Sequence, residues 1–361
     1  MNEPATAPAV AAMEGHGAYN RMSRVQASGL APALPLLERA AAAVALAPAP
    51  DAIVIADYGA SQGHNSLAPM AAAIRMLRQR VGAARAISIV HTDRPDNDFA
   101  TLFQTLLGDP DSYLPGDPAV FPSAIGRSFY EQILPPASTS LGWSSWAVQW
   151  LSQVPAPIPD HIQVSFSRDS AARAAFAARA AEDWQTFLLQ RSRELRPGGR
   201  LLVMTMAADS SGDMGYRPLV EAMYAALMDL VAEGFVHRDE ARRMAIPTVG
   251  RSREEFTAPF GASDSFNGLS IEHLELFQGQ DQIWAEYERG GDAAAFGASW
   301  ANFPRASVIP TLAADLDGGS ADPRVPEFFA RMVAGIATRM AAAPQPMHIP
   351  LAKMLIAKEG G

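Results

Sequence analysis

The sequence predicts an α/β chain: a doubly wound, mostly parallel sheet between layers of helix, completed by an α-helical cap. Three observations predict it. Residues 52–93 run strand, glycine turn, helix, strand, with an acid closing each strand. A long helix over 168–195 is stopped by "RPGGR" and followed by the apolar run "LLVMTMA" (201–207). From about residue 216 the pattern changes to amphipathic helices separated by irregular Pro/Gly-containing segments, a composition that suits a lid better than a sheet.

The first dozen residues are Ala/Pro-rich and read as disordered, whereas "LPLLERAAAAVALA" (34–47) is dense in the best helix former. "AIVIADYG" (52–59) reads as a buried strand. Leu67, Met70, Ile74, Leu77 and Val81 then recur at steps of three and four, which predicts a helix with one apolar face. "AISIVHTD" (86–93) is the second strand and runs into the turn "RPDND". Beyond 216, "RPLVEAMYAALMDLVAEGFV" (217–236) is the clearest amphipathic helix. The expected division is an N-terminal segment (1–30) closing over the active site, a core (31–215 and 311–361) and a mainly helical cap on the substrate side (216–310).

At 361 residues, 48% of them hydrophobic and 19% charged, the chain exceeds what one layered domain usually needs. A formal net charge of −9, without a block of like charges, argues against a nucleic-acid partner, since phosphate binders gather Lys and Arg on one face. The absence of Cys excludes disulfides, thiolate catalysis and Cys-ligated zinc. No segment has the shape of a secretion signal or membrane span, so the reading is a cytoplasmic protein with no membrane partner. None of the seven histidines forms an i, i+3 or i, i+4 pair, which leaves a helical zinc site unsupported and no metal expected.

"ADYGASQGHNSL" (56–67) turns from strand to helix. Gly59 and Gly63 supply positions without a Cβ where backbone must approach a ligand. The spacing is G-x-x-x-G rather than the dinucleotide G-x-G-x-x-G. A looser turn after an acid suits S-adenosylmethionine, which has no phosphate to cradle: Asp57 faces its cationic aminoacyl end and Asp93 accepts from both ribose hydroxyls. Asp57 and Asp93 as mere helix caps, and ordinary dinucleotide binding, remain open alternatives from pattern alone.

Taken in order, several segments resemble the plant-type SABATH carboxyl methyltransferases. They are "GHGAYNRMSRVQ" (15–26), the 56–67 turn, "TDRPDNDFATLF" (92–103), "RSFYEQILPP" (127–136), "SSWAVQWLSQVP" (144–155), and more weakly 234–256 and 300–312. The resemblance implies a Rossmann-like methyltransferase core with a helical cap. It implies S-adenosyl-L-methionine as cofactor, with S-adenosyl-L-homocysteine as product, and homodimers. Cofactor contacts are implied for Tyr19, Ser23, Asp57, Gly59, Asn65, Asp93, Arg94, Ser128 and Phe129. The acceptor would meet Tyr19, Gln26, Trp146, Gln149, Trp150 and Val220, with the Gln26 amide and the Trp150 indole N–H as the catalytic pair orienting a carboxylate. A carboxylic acid with a pKa near 4 is already ionised at neutral pH and needs no general base, and neutral donors orient it without quenching it.

Departures from the family pattern fall at the acceptor wall. Trp146 and Gln149 stand where many members have Tyr and Met, which adds a larger ring and an amide expected to meet a polar group on the acceptor. Val220 lies near a position that is Trp in salicylate-type members. Asp96, Ala60 and His64 replace the usual Gly, Cys and Pro, and His64 reads as packing at the helix start rather than as a base. The expected activity is O-methylation of the carboxylate of a small aromatic acid. N-methylation of a small heterocycle and an inactive cofactor-binding homologue are the alternatives.

Overall fold

A computed structural model describes residues 30–360. Helix α1 (Leu34–Ala43) precedes β1 (Ile53–Tyr58), α2 (His64–Val81), β2 (Ile87–Asp93), α3 (Phe99–Gly108), β3 (Val120–Gly126) and β4 (Thr139–Ser145). Then follow α4 (Ser170–Glu194), β5 (Leu195–Met206), α5 (Arg217–Ala232), α6 (Arg238–Arg243), α7 (Arg253–Thr257) and β6 (Leu269–Gln278). The chain closes with α8 (Gln282–Gly290), α9 (Ala293–Arg305), α10 (Val308–Ala313), α11 (Val325–Ala342) and β7 (Pro350–Lys358). The sheet order is β3-β2-β1-β4-β5-β7-β6. Strands β1 to β5 pair in parallel, and β7 runs antiparallel between β5 and β6.

Period-2 alternation distributes the core. Ile53 and Ile55 of β1, with Leu202 and Met204 of β5, join the cluster containing α1, α2 and α5. Ala56 and Tyr58, with Leu201 and Val203, join Trp184, Phe187 and Leu188 of α4 on the opposite face. After β3 at one edge the chain returns to lay β4 beside β1. That reversal opens a crevice at the carboxyl ends of β1 and β4, the usual ligand position in open α/β sheets.

The segment 269–278, expected inside the helical cap, is strand β6, hydrogen-bonded to β7 and part of the sheet. A register shift between Ile271 and His273 explains why alternation does not betray it. Before the bulge the odd positions Leu269 and Ile271 face the α4-side cluster; after it the even positions Leu274 and Leu276 do. Helix α11, assigned in sequence to the core segment, packs against α5 and α9 of the cap segment. No helix among the described residues is long and apolar enough to cross a membrane.

One buried ion pair ties α4 to the loop after β3. Arg191 and Glu194 are fully buried and 2.9 Å apart, and the Tyr58 hydroxyl donates to Glu194 Oε2 at 2.7 Å. Arg191 donates to the carbonyls of Phe129 and Glu131, both at 2.8 Å, and Glu194 Oε1 accepts from the amides of Ile133 and Leu134. Removing one partner strands the other charge away from water. Glu194→Ala should therefore lower the unfolding free energy by about 3–5 kcal/mol in equilibrium urea titration; a loss under about 1 kcal/mol would mean that the pair is dispensable.

Candidate active site

The first half of the site gathers where β1 and β2 end. Gly59 and Gly63 adopt φ of +92° and +89°, and Ser61 joins them in the left-handed region at +49°. The Gly59 and Ala60 amides donate to the Thr92 carbonyl at 2.9 and 3.0 Å, which folds the turn against β2. A Cβ on Gly59 would lie 2.5 Å from that of Ala147, so glycine is needed for the approach of the β4 loop as well as for its φ. The Asp93 carboxylate accepts from the Ser61 amide (2.7 Å) and the Arg94 amide (2.8 Å). Burial pushes this partly buried carboxyl up to about 6, against the pull of those two amides. The Arg94 guanidinium turns away and pairs with Asp96.

Asp57 is buried, and its Oδ2 accepts from Ser66 Oγ (2.5 Å) and lies 2.8 Å from His91 Nδ1. Oδ1 has no partner among the described residues. With Gly59, Asn65, Ser66, Trp143 and Ser145, Asp57 lines a recess that presents a carboxylate and, among the described residues, no basic side chain. Such a donor set fits a cationic ligand bearing hydroxyls and offers nothing to a pyrophosphate. Ser128 and Phe129 follow β3, and the Arg127 amide donates to the Asp93 carbonyl at 2.7 Å, so their loop abuts the end of β2. His64 Nδ1 lies 3.1 Å from Asp109 Oδ2, tying the start of α2 to the loop after α3.

The second half is a cleft in which Trp146, Gln149, Trp150 and Val220 stand together although α5 lies some seventy residues beyond β4. Tyr19, Ser23 and Gln26 lie outside the described residues. The 146–151 segment holds its shape through backbone bonds. Trp146, at φ +54°, donates its amide to Met204; Val249 donates to Gln149, and Leu151 to Pro247. The buried Arg251 donates to the carbonyls of Val148 (2.6 Å) and Ala180 (3.0 Å). The Trp150 indole N–H makes no hydrogen bond among the described residues, which leaves it for an acceptor. Gln149 differs from expectation: Oε1 accepts from Thr205 Oγ1 and Nε2 donates to the Trp146 carbonyl, so most of the amide is already engaged by the protein.

Sequence reasoning missed polar members of this cleft, Gln163, Thr248 and Tyr216 among them. Gln163 donates to Thr248 Oγ1, and both line it. Tyr216, stacked on Phe303 at 5.5 Å, has a buried hydroxyl without a partner among the described residues, and burial raises its phenol. None sits in a recognisable motif. Thr248 pairs with Trp150, Gln163 bonds to Thr248 through its side chain, and the Tyr216 amide donates to the His348 carbonyl, contacts that sequence does not reveal. Apart from Tyr216 no titratable side chain is among the described lining residues, and no His/Asp/Glu cluster able to hold a metal occurs among the described residues.

The chain is similar to known proteins over most of its length. The family profile "SAM dependent carboxyl methyltransferase" matches residues 9–353. The chain is 32% identical over 263 residues to "Methyltransferase FUS9" of Gibberella fujikuroi, covering 70% of each. It is 28% identical over 251 residues to "Salicylate carboxymethyltransferase" of Clarkia breweri, covering 66% of this chain and 67% of that one. Among solved structures, "Loganic acid methyltransferase with SAH" superposes with a TM-score of 0.74 at 17% identity, over 97% of this chain and 99% of the other, and shows the shared fold.

The two demands on Gly59 can be separated. Gly59→Ala should lower the unfolding free energy by about 2–5 kcal/mol, from left-handed strain plus overpacking. Gly291→Ala, at φ +66° with nothing within 4 Å of the added Cβ, should cost only about 1–2 kcal/mol. Equal costs in chemical denaturation would leave the Ala147 contact without energetic weight.

Proposed function

The chain belongs to the S-adenosylmethionine-dependent carboxyl methyltransferases, and we propose that it esterifies the carboxylate of a small, largely apolar, aromatic acid by direct in-line methyl transfer without a general base. The observation that carries this reading is the acceptor cleft itself. Its described walls are aromatic and aliphatic side chains with neutral polar groups, and they hold no His, Asp, Glu, Lys or Arg. A phenol or amine acceptor would need a proton removed there; a carboxylic acid arrives ionised.

When bound, the cofactor supplies an electrophilic methyl group on a positively charged sulfur. The residues of the first half of the site fit it: Asp57 brings a carboxylate to a cationic ligand, and Asp93, with each oxygen already oriented by a backbone amide, retains lone pairs for two ribose hydroxyls. Ser128 and Phe129, held against β2, are assigned to the adenine side. In the acceptor cleft the Trp150 indole N–H, together with the Gln26 amide, orients the carboxylate so that one oxygen lies in line with the methyl carbon. Apolar walls exclude the water that would otherwise solvate that oxygen. The proton inventory does not change, which suits a cleft without a base.

Supplying methyl-labelled cofactor to a panel of carboxylic acids, phenols and heterocyclic amines tests the reading. It expects label in a base-labile ester from an aromatic acid; label only in base-stable products would refute it. Trp150→Phe should lower kcat/KM by about 10- to 100-fold, the worth of one hydrogen bond to a charged group, while calorimetric affinity for S-adenosylhomocysteine stays unchanged.

The raised Asp93 carboxyl adds a pH signature. Only its ionised form accepts from both hydroxyls, so affinity for S-adenosylhomocysteine should hold above pH 6 and fall about tenfold per unit below it. An ordinary carboxylate would not begin to lose affinity before about pH 4. Asp93→Asn should bind more weakly and lose this dependence; a variant with the wild-type profile would assign the titration elsewhere.

A further inference from the structure

We propose that His91 and Tyr113 are positioning residues for the cofactor: with Asp57 they form a buried hydrogen-bonded chain that fixes the Asp57 carboxylate as an acceptor for the ammonium group of the cofactor's amino-acid end. This rests on the reading that Asp57 faces that end.

His91 stands directly beside Asp57 in the parallel β1/β2 ladder, on the same face of the sheet, and is fully buried. A residue there needs only to fill space between strand and helix, a task for an aliphatic side chain. Histidine brings instead two ring nitrogens that must both be satisfied away from water. Nδ1 lies 2.8 Å from Asp57 Oδ2, and Nε2 lies 2.7 Å from the Tyr113 hydroxyl.

The direction of the chain follows from its ends. A carboxylate only accepts, so Nδ1 carries a proton and donates to Oδ2. Burial, and after it the Asp57 charge, pushes the Tyr113 phenol up, so its hydroxyl keeps its proton and closes the chain at Nε2, 2.7 Å away. Ser66 Oγ donates to the same carboxylate oxygen at 2.5 Å. Two donors thus converge on Oδ2, and Oδ1 is left without a partner among the described residues at the lining of the recess.

Tyr113 is itself anchored. Its loop is tied to α3 by Ser112 Oγ donating to the Leu106 carbonyl, and to α2 by the His64–Asp109 and Arg78–Asp117 contacts. The chain therefore begins on a loop fastened to two helices and ends on the carboxylate. It holds the Asp57 side chain in one rotamer, so no ordering cost falls due when the ligand arrives.

Calorimetric titration of two ligands against the full-length protein tests this. S-adenosylhomocysteine carries the amino-acid end, whereas 5′-methylthioadenosine has the same adenosine and thioether without it. His91→Leu should weaken S-adenosylhomocysteine about 10- to 100-fold and leave 5′-methylthioadenosine within about twofold. His91→Asn, whose amide nitrogen reaches the place of Nδ1, should recover most of the loss. Tyr113→Phe, which removes one oxygen atom, should show the same selectivity at about three- to tenfold, and supplies the answer if His91→Leu does not fold. Equal weakening of both ligands, or none of S-adenosylhomocysteine, would overturn the proposal. Wild-type protein that binds 5′-methylthioadenosine as tightly as S-adenosylhomocysteine would instead refute the reading of Asp57 on which it rests.

Discussion

Two guanidinium groups taken out of water organise this molecule. Arg191 and Arg251 are buried, and a charge in that position persists only if its N–H groups find acceptors. Both find them on irregular backbone: Arg191 on Phe129 and Glu131, Arg251 on Val148 and Ala180. Their flat faces lie over aromatic rings, Arg191 at 4.2 Å from the Tyr58 centroid and Arg251 at 5.7 Å from that of Trp184. Burial pulls the Arg251 guanidinium below its ordinary value, and Tyr130, Asp183 and Glu255 act against that pull. The loops after β3 and β4 lie outside the sheet strands, and carbonyl capture by these two side chains adds to the few backbone bonds that hold them. Each half of the site thus hangs from one arginine.

The two halves differ in electrostatic character for a physical reason. A sulfonium ligand is attracted by carboxylates, and Asp57 and Asp93 lie close enough that the Asp57 charge adds to the upward push on Asp93. An anionic acceptor would be repelled by the same groups and trapped by a fixed cation. The acceptor cleft has neither among its described residues, whose polar groups are neutral. Separating the charges this way lets a positive and a negative reactant approach each other while the protein neutralises neither reacting atom.

The elements legible in sequence were those with an uninterrupted helix-favouring or apolar pattern: α1, β1, α2, β2, α4, β5 and α5. The others are masked by identifiable features. Strand β3 carries Pro122 at a sheet edge, β4 reads "TSLGWSS" with few apolar residues, and β6 contains a bulge that reverses its alternation. At the site, no local pattern could bring Trp150 together with Val220. Collinear resemblance over the whole chain did so. It could not reveal Thr248, which pairs with Trp150, Gln163, whose side chain bonds to Thr248, or Tyr216, whose amide donates to the His348 carbonyl, nor that Gln149 is held by Thr205. His91 was read only as part of an apolar strand. What it bonds to depends on Tyr113, twenty-two residues on, in a loop without a motif.

The close approach of Gly59 to Ala147 has a consequence for how such a protein can diverge. The cofactor turn and the acceptor segment share one point of steric contact, with 2.5 Å between the Ala147 methyl and any methyl added at Gly59. A substitution that enlarges either side displaces the other. Drift toward a new acceptor through a larger residue at 147 would therefore be felt first as a poorer fit to a cofactor that has not changed. Selection for cofactor retention thereby narrows the acceptor variants that can be sampled at this point, and leaves the distant wall around Val220 and Phe303 as the freer ground for new specificity.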